Sequence, residues 1–279
     1  MKKVLCLFLA IITVFGLTAC SGGKVVKDLD AIKKAGVIRV GMECNYAPFN
    51  WTQSKSSEDA VALASGGYAD GYDVRIAKKI ADGLGVKLEI VKLEWNGLTL
   101  ALQSNKIDAI IAGMSPREER KLTIDFSDPY YESELVIVVR KDGAYANASK
   151  LSDFAGAKIT GQLNTYHYKA IDQIQGVKKQ TALKDFPAMI VALQSGSIDG
   201  YVSERPGAVS AVSANNDLTY IQFEGSNGFK TNPEDVQIAV GIRKGSDLAE
   251  SINPILAKIS KAERQSIMDM AVANQPLSN

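Results

Sequence analysis

An internal repeat limits the folds open to this chain more than any other feature of its sequence. Residues 94–111 and 185–202 align without a gap at an offset of 91 residues. Six of the eighteen aligned pairs are identical: Ala101/Ala192, Leu102/Leu193, Gln103/Gln194, Ser104/Ser195, Ile107/Ile198 and Asp108/Asp199. Chance similarity between two amphipathic helix–strand units is the alternative, but the extent of the match favours a duplicated lobe. Two similar lobes imply a cleft between them.

Both repeats lie within a run of alternating strand and helix patterns. Residues 71–85 place apolar side chains at helical spacing, with Asp73 as the predicted N-cap and Gly85 as the stop. Residues 86–93 alternate with the period of a strand. This alternation predicts an α/β protein with parallel sheets covered by helices on both faces. Ligands bind such sheets at the carboxyl ends of the strands.

The first nineteen residues have the pattern of a signal peptide. Lys2 and Lys3 precede an apolar run over residues 4–18, which is shorter than the about 20 residues of a membrane-spanning helix. The run ends in Leu-Thr-Ala-Cys, which resembles a bacterial lipobox. We therefore expect cleavage before Cys20 and diacylglycerol on its thiol, with residues 20–27 as a flexible tether that holds the body at the outer face of the cell membrane. An ordinary signal peptide is the alternative.

The composition argues against several classes of function. The net charge is +1, and loss of Lys2 and Lys3 would make it −1, which argues against nucleic acid as a partner. With Cys20 acylated, Cys44 is the one thiol left, so the mature chain would form no internal disulfide. This thiol and the one histidine, His167, cannot build a metal site from Cys and His. We expect no metal and no cofactor.

Residues 107–120 join the end of a buried strand to a polar turn. The apolar run stops at Gly113, Ser115 and Pro116 follow, and a charged segment begins that includes Arg120. Unpaired N–H groups at the start of a helical turn suit an anion, and arginine binds a carboxylate through two parallel hydrogen bonds. The stretch therefore predicts a carboxylate clamp. A solvated run of surface charge is the alternative.

Five segments, among them the one just described, carry a specific resemblance. They are CNYAPF at 44–49, GYDVRIAKKIA at 71–81, KIDAIIAGMSPREERK at 106–121, IDFSDPYY at 124–131 and VGIRKG at 240–245. In this order and spacing the chain resembles the solute-binding lipoproteins of polar amino-acid ABC importers, over essentially all of its mature length. The resemblance implies the type II periplasmic-binding-protein fold, in which two α/β lobes, each a sheet flanked by helices, hold the ligand in the cleft between them.

The same resemblance implies the organisation and the partners. Lobe 1 would comprise residues 28–137 and 238–279, and lobe 2 residues 138–237, with residues 251–272 helical and packed on lobe 1. The ligand would be a polar L-amino acid and the partner the transmembrane subunits of an ABC permease. The protein would act as a monomer and would not be an enzyme.

Individual residues also take roles from the resemblance. Arg120 matches the arginine that pairs with the ligand's α-carboxylate. Glu204 lies where relatives usually have an aspartate for the α-ammonium. Gly113, Met114 and Ser115 form the turn that contacts the amino or carboxylate end of the ligand.

The second lobe departs from the family pattern at the corresponding turn. Thr165 and Tyr166 lie where relatives have Gly-Thr-Thr, whose backbone and hydroxyls help to hold the carboxylate. Asn164 replaces the glycine and Tyr166 the second threonine. In the first lobe, relatives often have serine at Ala112 or Gly113, so one hydroxyl is missing here.

Three residues bear on the side chain of the ligand. Tyr46 and Trp95 match positions that flank it in relatives, and two aromatic rings can sandwich a cation. Glu43 lies where relatives for basic amino acids have an acid. Together they favour arginine, then lysine or histidine. Glutamine or another polar amino acid is the alternative, because glutamine binders can carry an acid there too, and both aromatics could be core residues.

Two functions of other classes share the same fold. A sensor or adhesin would use the same cleft without a permease. A dehydratase-like enzyme would need a positioned acid or base, for which Glu43, Glu204 and His167 are candidates that would serve equally well in binding.

Overall fold

The computed structural model describes residues 26–276. The predicted signal peptide and Cys20 lie outside these residues. Of the predicted tether, Val26 and Lys27 are described, and Val26 pairs with Ser246 of the folded body. No helix within residues 26–276 combines the length and the apolar character needed to cross a membrane.

The described residues alternate between strands and helices as the sequence predicts. The strands are β1 (Val37–Met42), β2 (Asn45–Tyr46), β3 (Asn50–Gln53), β4 (Val61–Ala62), β5 (Tyr68–Asp70), β6 (Lys87–Lys92), β7 (Ala109–Ile110), β8 (Ile124–Glu132), β9 (Leu135–Arg140), β10 (Lys158–Thr160), β11 (Lys178–Lys179), β12 (Gly200–Glu204), β13 (Leu218–Ile221) and β14 (Gln237–Arg243). The α-helices are α1 (Asp28–Ala35), α2 (Tyr72–Leu84), α3 (Leu98–Gln103), α4 (Glu118–Lys121), α5 (Tyr166–Ala170), α6 (Phe186–Gln194), α7 (Arg205–Ala214), α8 (Pro233–Val236), α9 (Leu248–Ala257) and α10 (Lys261–Asn274).

Two five-stranded sheets form the centres of the two lobes. Their orders are β6-β1-β7-β14-β8 and β11-β10-β12-β9-β13. In each sheet the first three strands are parallel, and the fourth, β14 or β9, is antiparallel to both of its neighbours. The sequence predicted parallel strands only. The antiparallel strand differs because the chain enters it from the other lobe instead of through a helix on the same sheet.

The two sequence repeats occupy equivalent places in the two sheets. Each supplies a helix and the central strand, α3 with β7 in one lobe and α6 with β12 in the other. Asp108 Oδ2 accepts a hydrogen bond of 2.9 Å from the Arg39 amide, and Asp199 Oδ2 accepts one of 2.8 Å from the Lys158 amide. The identical aspartates thus tie the central strand to its parallel neighbour in both lobes, which supports duplication over chance similarity.

Helix α2 follows the predicted periodicity but not the predicted cap. Its apolar residues are buried, and Gly85 ends it in the left-handed conformation. The N-cap is Gly71, not Asp73. The Asp73 carboxylate is buried and accepts hydrogen bonds of 2.7 Å from both Asn50 Nδ2 and Tyr130 Oη, because partners outside the helix compete for it.

The chain passes between the lobes twice, from β8 to β9 and from β13 to β14. It leaves the first sheet after β8, and β9 then lies entirely in the second sheet, so the predicted boundary at 137/138 falls inside a strand. Residues 251–272 are largely helical, in α9 and α10. Helix α10 contacts α2 of the first lobe and also α7 of the second, and the Gln275 side-chain amide donates to the Ser210 carbonyl over 3.1 Å. The carboxyl-terminal segment therefore joins both lobes.

Candidate functional site

The carboxyl ends of the two sheets face each other across a small closed cavity. Twelve residues line it: Tyr46, Trp95, Ala112, Gly113, Ser115 and Arg120 from the first lobe, and Gln162, Thr165, Tyr166, His167, Glu204 and Asp235 from the second. The cavity volume is about 20 Å³, which is room for roughly one water molecule. An amino acid can therefore enter only when the lobes move apart.

The structure brings eight of the ten predicted ligand-binding residues to this cavity. Glu43 and Met114 do not line it. Met114 is buried among apolar residues of the first lobe, so its side chain packs in the core and anchors the turn. Glu43 is buried and contacts Gln162, which itself lines the cavity.

Arg120 projects from α4 and is held in place by the turn that precedes it. Its Nη1 donates to the Ser115 carbonyl over 2.9 Å, and its Nη2 donates to the Asn164 carbonyl of the second lobe over 3.1 Å. The guanidinium lies over the Trp95 ring, 5.2 Å from the centroid. Burial, together with nearby Arg117, lowers the pKa of Arg120 to about 10, so it remains a cation at neutral pH.

Glu204 ends strand β12, and its carboxyl group lines the cavity. Its Oε2 accepts a hydrogen bond from the Tyr46 hydroxyl of the first lobe and lies 2.9 Å from His167 Nε2. Its side chain is buried, and burial raises the pKa of Glu204 to about 8. In the closed lobes this carboxyl is therefore protonated at neutral pH.

His167, named from the sequence only as a candidate acid, base or binding group, lines the cavity. It is buried in α5, and burial, with smaller effects of Arg120 and Arg117, lowers the pKa of His167 to about 3. The imidazole is therefore neutral at every ordinary pH. Its Nδ1 has no hydrogen-bond partner within residues 26–276. The sequence could have signalled it only as the one histidine close to the matched Thr165-Tyr166 pair.

Tyr46 fills the centre of the cleft but does not pair with Trp95. Its ring stacks on Phe186, with the centroids 4.2 Å apart and the planes at 10°. A Cβ built at Gly113, whose φ is 64°, would lie 2.9 Å from Tyr46 Cε1, so serine would not fit at that position. Phe186 covers one face of Tyr46, and the cation over Trp95 is Arg120. The sandwich of a ligand cation between Tyr46 and Trp95 stays a prediction.

Glu43 is separated from the cavity by Gln162. The Gln162 side-chain amide donates to both Glu43 oxygens over 3.0 and 3.1 Å and to the Lys184 carbonyl over 3.1 Å. Burial is the main cause that raises the pKa of Glu43 to about 7, and the Gln162 hydrogen bond opposes it. Sequence reasoning missed Gln162, which lies 119 positions from Glu43.

The second-lobe turn has the geometry that glycine provides in relatives. Asn164 has a φ of 59°, the left-handed region that asparagine tolerates better than most residues. The Thr165 hydroxyl donates to the Gln162 carbonyl over 2.7 Å. The Tyr166 hydroxyl donates to the Lys230 carbonyl over 3.0 Å, and Arg117 lies over its ring. Asparagine for glycine therefore preserves the turn, while Tyr166 uses its hydroxyl away from the cavity.

Ser115 and Asp235 connect the two lobes beside the cavity. Ser115 Oγ donates to the Asp235 carbonyl over 3.3 Å, so its hydroxyl is engaged with the second lobe. Arg117 forms an ion pair of 2.6 Å with Glu119 and lies 3.8 Å from Asp235. Sequence reasoning did not single out Asp235, which brings a second carboxylate to the cavity.

The comparisons with known proteins agree with this architecture. Residues 38–270 match the bacterial extracellular solute-binding proteins, family 3. The chain belongs to this family. A curated relative, the probable histidine-binding protein of Campylobacter jejuni, is 30% identical over 234 residues, covering 82% of this chain and 85% of that protein. The arginine-binding extracellular protein ArtP of Bacillus subtilis is 28% identical over 262 residues, covering 93% of each chain.

A solved structure shows the same fold. An amino acid ABC transporter substrate-binding protein from Streptococcus pneumoniae, bound to L-arginine, superposes on this family 3 protein with a TM-score of 0.77. The sequences are 30% identical, and the match covers 89% of this chain and 98% of that one. The expected family and the two-lobed α/β fold are therefore confirmed.

Proposed function

We propose that this family 3 protein captures a polar L-amino acid by closure of its lobes and delivers it to the transmembrane subunits of an ABC permease. Arginine is the preferred ligand, followed by lysine and histidine. The observation that carries the proposal is that Arg120 of one lobe and Glu204 of the other line the same closed cavity.

An amino acid's head group requires this pair of charges. Its carboxylate needs a fixed cation, and the planar guanidinium of Arg120 offers two parallel donors. Its ammonium needs an anion, which Glu204 becomes when it loses its proton. Because each group comes from a different lobe, the site is complete only when the cleft closes, and exclusion of water then strengthens both contacts. This is a binding site, and we propose no catalytic step.

Glu43 supports a ligand with a basic side chain. A buried carboxyl with a pKa near 7 ionises easily when the cationic side chain of a ligand comes close. The neutral amide of glutamine would gain less binding energy from the same carboxylate. Gln162 must release Glu43 for direct contact. The L-arginine bound in the Streptococcus pneumoniae structure and the name of ArtP are in keeping with this choice.

The test is a calorimetric titration of residues 24–279 with arginine, lysine, histidine, glutamine, glutamate and cystine. Tight binding of arginine with weaker lysine and histidine is the expected result. Tight binding of glutamine without heat from arginine would retain the family role and overturn the basic ligand. No binding to any of the six amino acids would overturn import and favour a sensor or an enzyme on the same fold.

Glu43→Gln is expected to weaken arginine binding by about 30-fold or more and to leave glutamine binding within about threefold. Loss of a charge partner in a buried pair typically costs about 2–5 kcal/mol, while an amide in place of the acid keeps the packing. Parallel titration of both amino acids measures the difference. An arginine affinity equal to that of the unmodified protein would show that Glu43 does not read the side chain.

We also propose that Cys20 carries the membrane anchor, on the basis of the lipobox-like residues 17–20. Mass spectrometry of the amino-terminal peptide from membranes should find a diacylglycerol-modified Cys20 as the first residue. Cys20→Ala should release the protein from the membrane fraction. A peptide that begins upstream of an unmodified Cys20 would contradict the proposal.

A further inference from the structure

Two exposed apolar side chains lie where the predicted tether joins the folded body. The Val26 amide donates to the Gly245 carbonyl over 2.8 Å. Next to this contact, the Lys244 ammonium group donates over 2.7 Å to the carbonyl of Lys121, the residue before Leu122. Val26 is 39% exposed and Leu122 is 79% exposed, the highest exposure of any large apolar side chain within residues 26–276. The segment 244–246 therefore holds both side chains in one region of the surface.

This region belongs to the end of the first lobe that points away from the cavity. The carboxyl ends of the parallel strands β1 and β7 face the cavity, and β14 is antiparallel to β7. The end of β14 at Arg243, where Ile124 pairs with it, therefore lies at the amino ends of the parallel strands. A partner that covers Val26 and Leu122 can be in place without blocking the cleft.

The adjoining residues 27–35 carry more free positive charge than negative charge. Lys27, Lys33 and Lys34 are exposed, and none of them forms an ion pair with another described residue. Asp30 is the one acid of these nine residues that is likewise outside any described ion pair. The other acids of this region are engaged: Asp28 by Arg243, Glu118 by Lys121, Asp125 by Lys244 and Asp247 by the Leu29 amide.

We propose that Val26, Leu122 and the lysines at positions 27, 33 and 34 form a tether-end surface that lies on the anionic lipid of the membrane. This inference rests on the proposed anchor at Cys20. Five residues separate Cys20 from Val26, and a chain of this length spans at most about 20 Å. An anchored body therefore keeps the tether-end surface close to the lipid. Anionic headgroups attract lysines, and an exposed leucine can enter the headgroup boundary.

The short connection to the anchor makes weak contacts sufficient. It raises the effective concentration of the tether-end surface at the membrane to about the millimolar range. Contacts that could not hold a free protein on the lipid can then orient an anchored one. Because the tether-end surface points away from the cavity, this orientation directs the cleft toward the medium from which the ligand arrives.

The experiment attaches an environment-sensitive fluorophore at position 122 of the full lipidated chain through Leu122→Cys. Val191→Cys is the matched control, because Val191 is 65% exposed but lies on the second lobe. Cys44 is buried and Cys20 carries the lipid, so neither takes the label. Both proteins are reconstituted in vesicles of equal parts phosphatidylglycerol and phosphatidylcholine with nitroxide-labelled lipid. We expect quenching at position 122 to exceed quenching at position 191 by about threefold or more.

The charge dependence separates docking from simple closeness to the anchor. Two changes should each reduce the quenching at position 122 by about half or more: vesicles of phosphatidylcholine alone, and the combined substitutions Lys27→Gln, Lys33→Gln and Lys34→Gln in the anionic vesicles. The Kd for the amino acid should not change, because none of these residues lines the cavity.

Three results would overturn the proposal, and they can be told apart. Equal quenching at positions 122 and 191, or quenching at position 122 that neither change reduces, would leave the anchor in place and remove the docking. An amino-terminal peptide without lipid on Cys20 would remove the anchor and the docking together. A concentration-dependent dimer in detergent solution that Leu122→Ser abolishes would assign the tether-end surface to a second copy of the chain.

Discussion

Arg120→Ala is expected to weaken amino-acid binding by at least about 100-fold. Truncating one partner of a buried, hydrogen-bonded charge pair costs about 2–5 kcal/mol, and each 1.4 kcal/mol is about tenfold in Kd. In the variant the ligand carboxylate would enter a closed cavity without its cation. Titration calorimetry of the variant with the amino acid that the unmodified protein binds measures the loss.

Two neighbouring substitutions separate the clamp from general damage to the turn. Arg120→Lys keeps the charge but loses the planar pair of donors, so we expect an intermediate loss of affinity. Arg117→Ala removes a cation from the same turn that does not line the cavity, and its effect should stay below about tenfold. Micromolar affinity in Arg120→Ala would contradict the assignment of Arg120 as the carboxylate partner.

The sequence predicted the parts of the fold and site that depend on local patterns. Helix α2 follows from the spacing of its apolar residues, and the equivalence of Asp108 and Asp199 follows from the repeat. The turn from Gly113 to Arg120 was recognisable because its turn residues and charges are consecutive. Residues that lie close together in the chain were therefore placed well.

Contacts between the lobes could not be read in the same way. Gln162 reaches Glu43 and Phe186 reaches Tyr46 only because two separate sheets meet, and the spacing along the chain gives no sign of either contact. The position of the Arg120 guanidinium over the Trp95 ring was likewise not predicted, because the two residues lie in different elements of the first lobe. His167 lacked an identifiable partner because Glu204 lies in a different element.

The second large effect concerns Glu204, whose charge should make binding depend on pH. The pKa of this carboxyl in the closed lobes is about 8, above its ordinary value, so the closed protein without ligand holds a proton below pH 8. This proton stabilises the closed, ligand-free form at low pH, and that stabilisation is lost as the pH rises through 8. An ammonium group requires the ionised form, so protein that starts in the closed form must release the proton when it binds ligand at pH 7.

The groups that contact Glu204 do not supply another negative charge for the ligand's ammonium group. His167 remains neutral because its pKa is lowered to about 3, and Tyr46 is a hydrogen-bond donor to the carboxyl. Arg120 remains charged over this range, because its pKa is about 10. We therefore expect affinity to increase between pH 6 and 8, by up to about tenfold per pH unit, with Glu43 adding a second released proton when the ligand is basic.

Glu204→Gln is expected to weaken binding by about 100-fold at pH 8, where the unmodified site is best ionised, and to remove its share of the proton release. Glu204→Asp, which restores the acid that relatives usually have, should retain binding. Calorimetry in two buffers of different protonation enthalpy counts the protons at each pH. Equal heats in both buffers at pH 7, or an affinity of the unmodified protein that does not change between pH 6 and 8, would mean that the ammonium is held by another group, for which Asp235 on the same cavity is the first candidate.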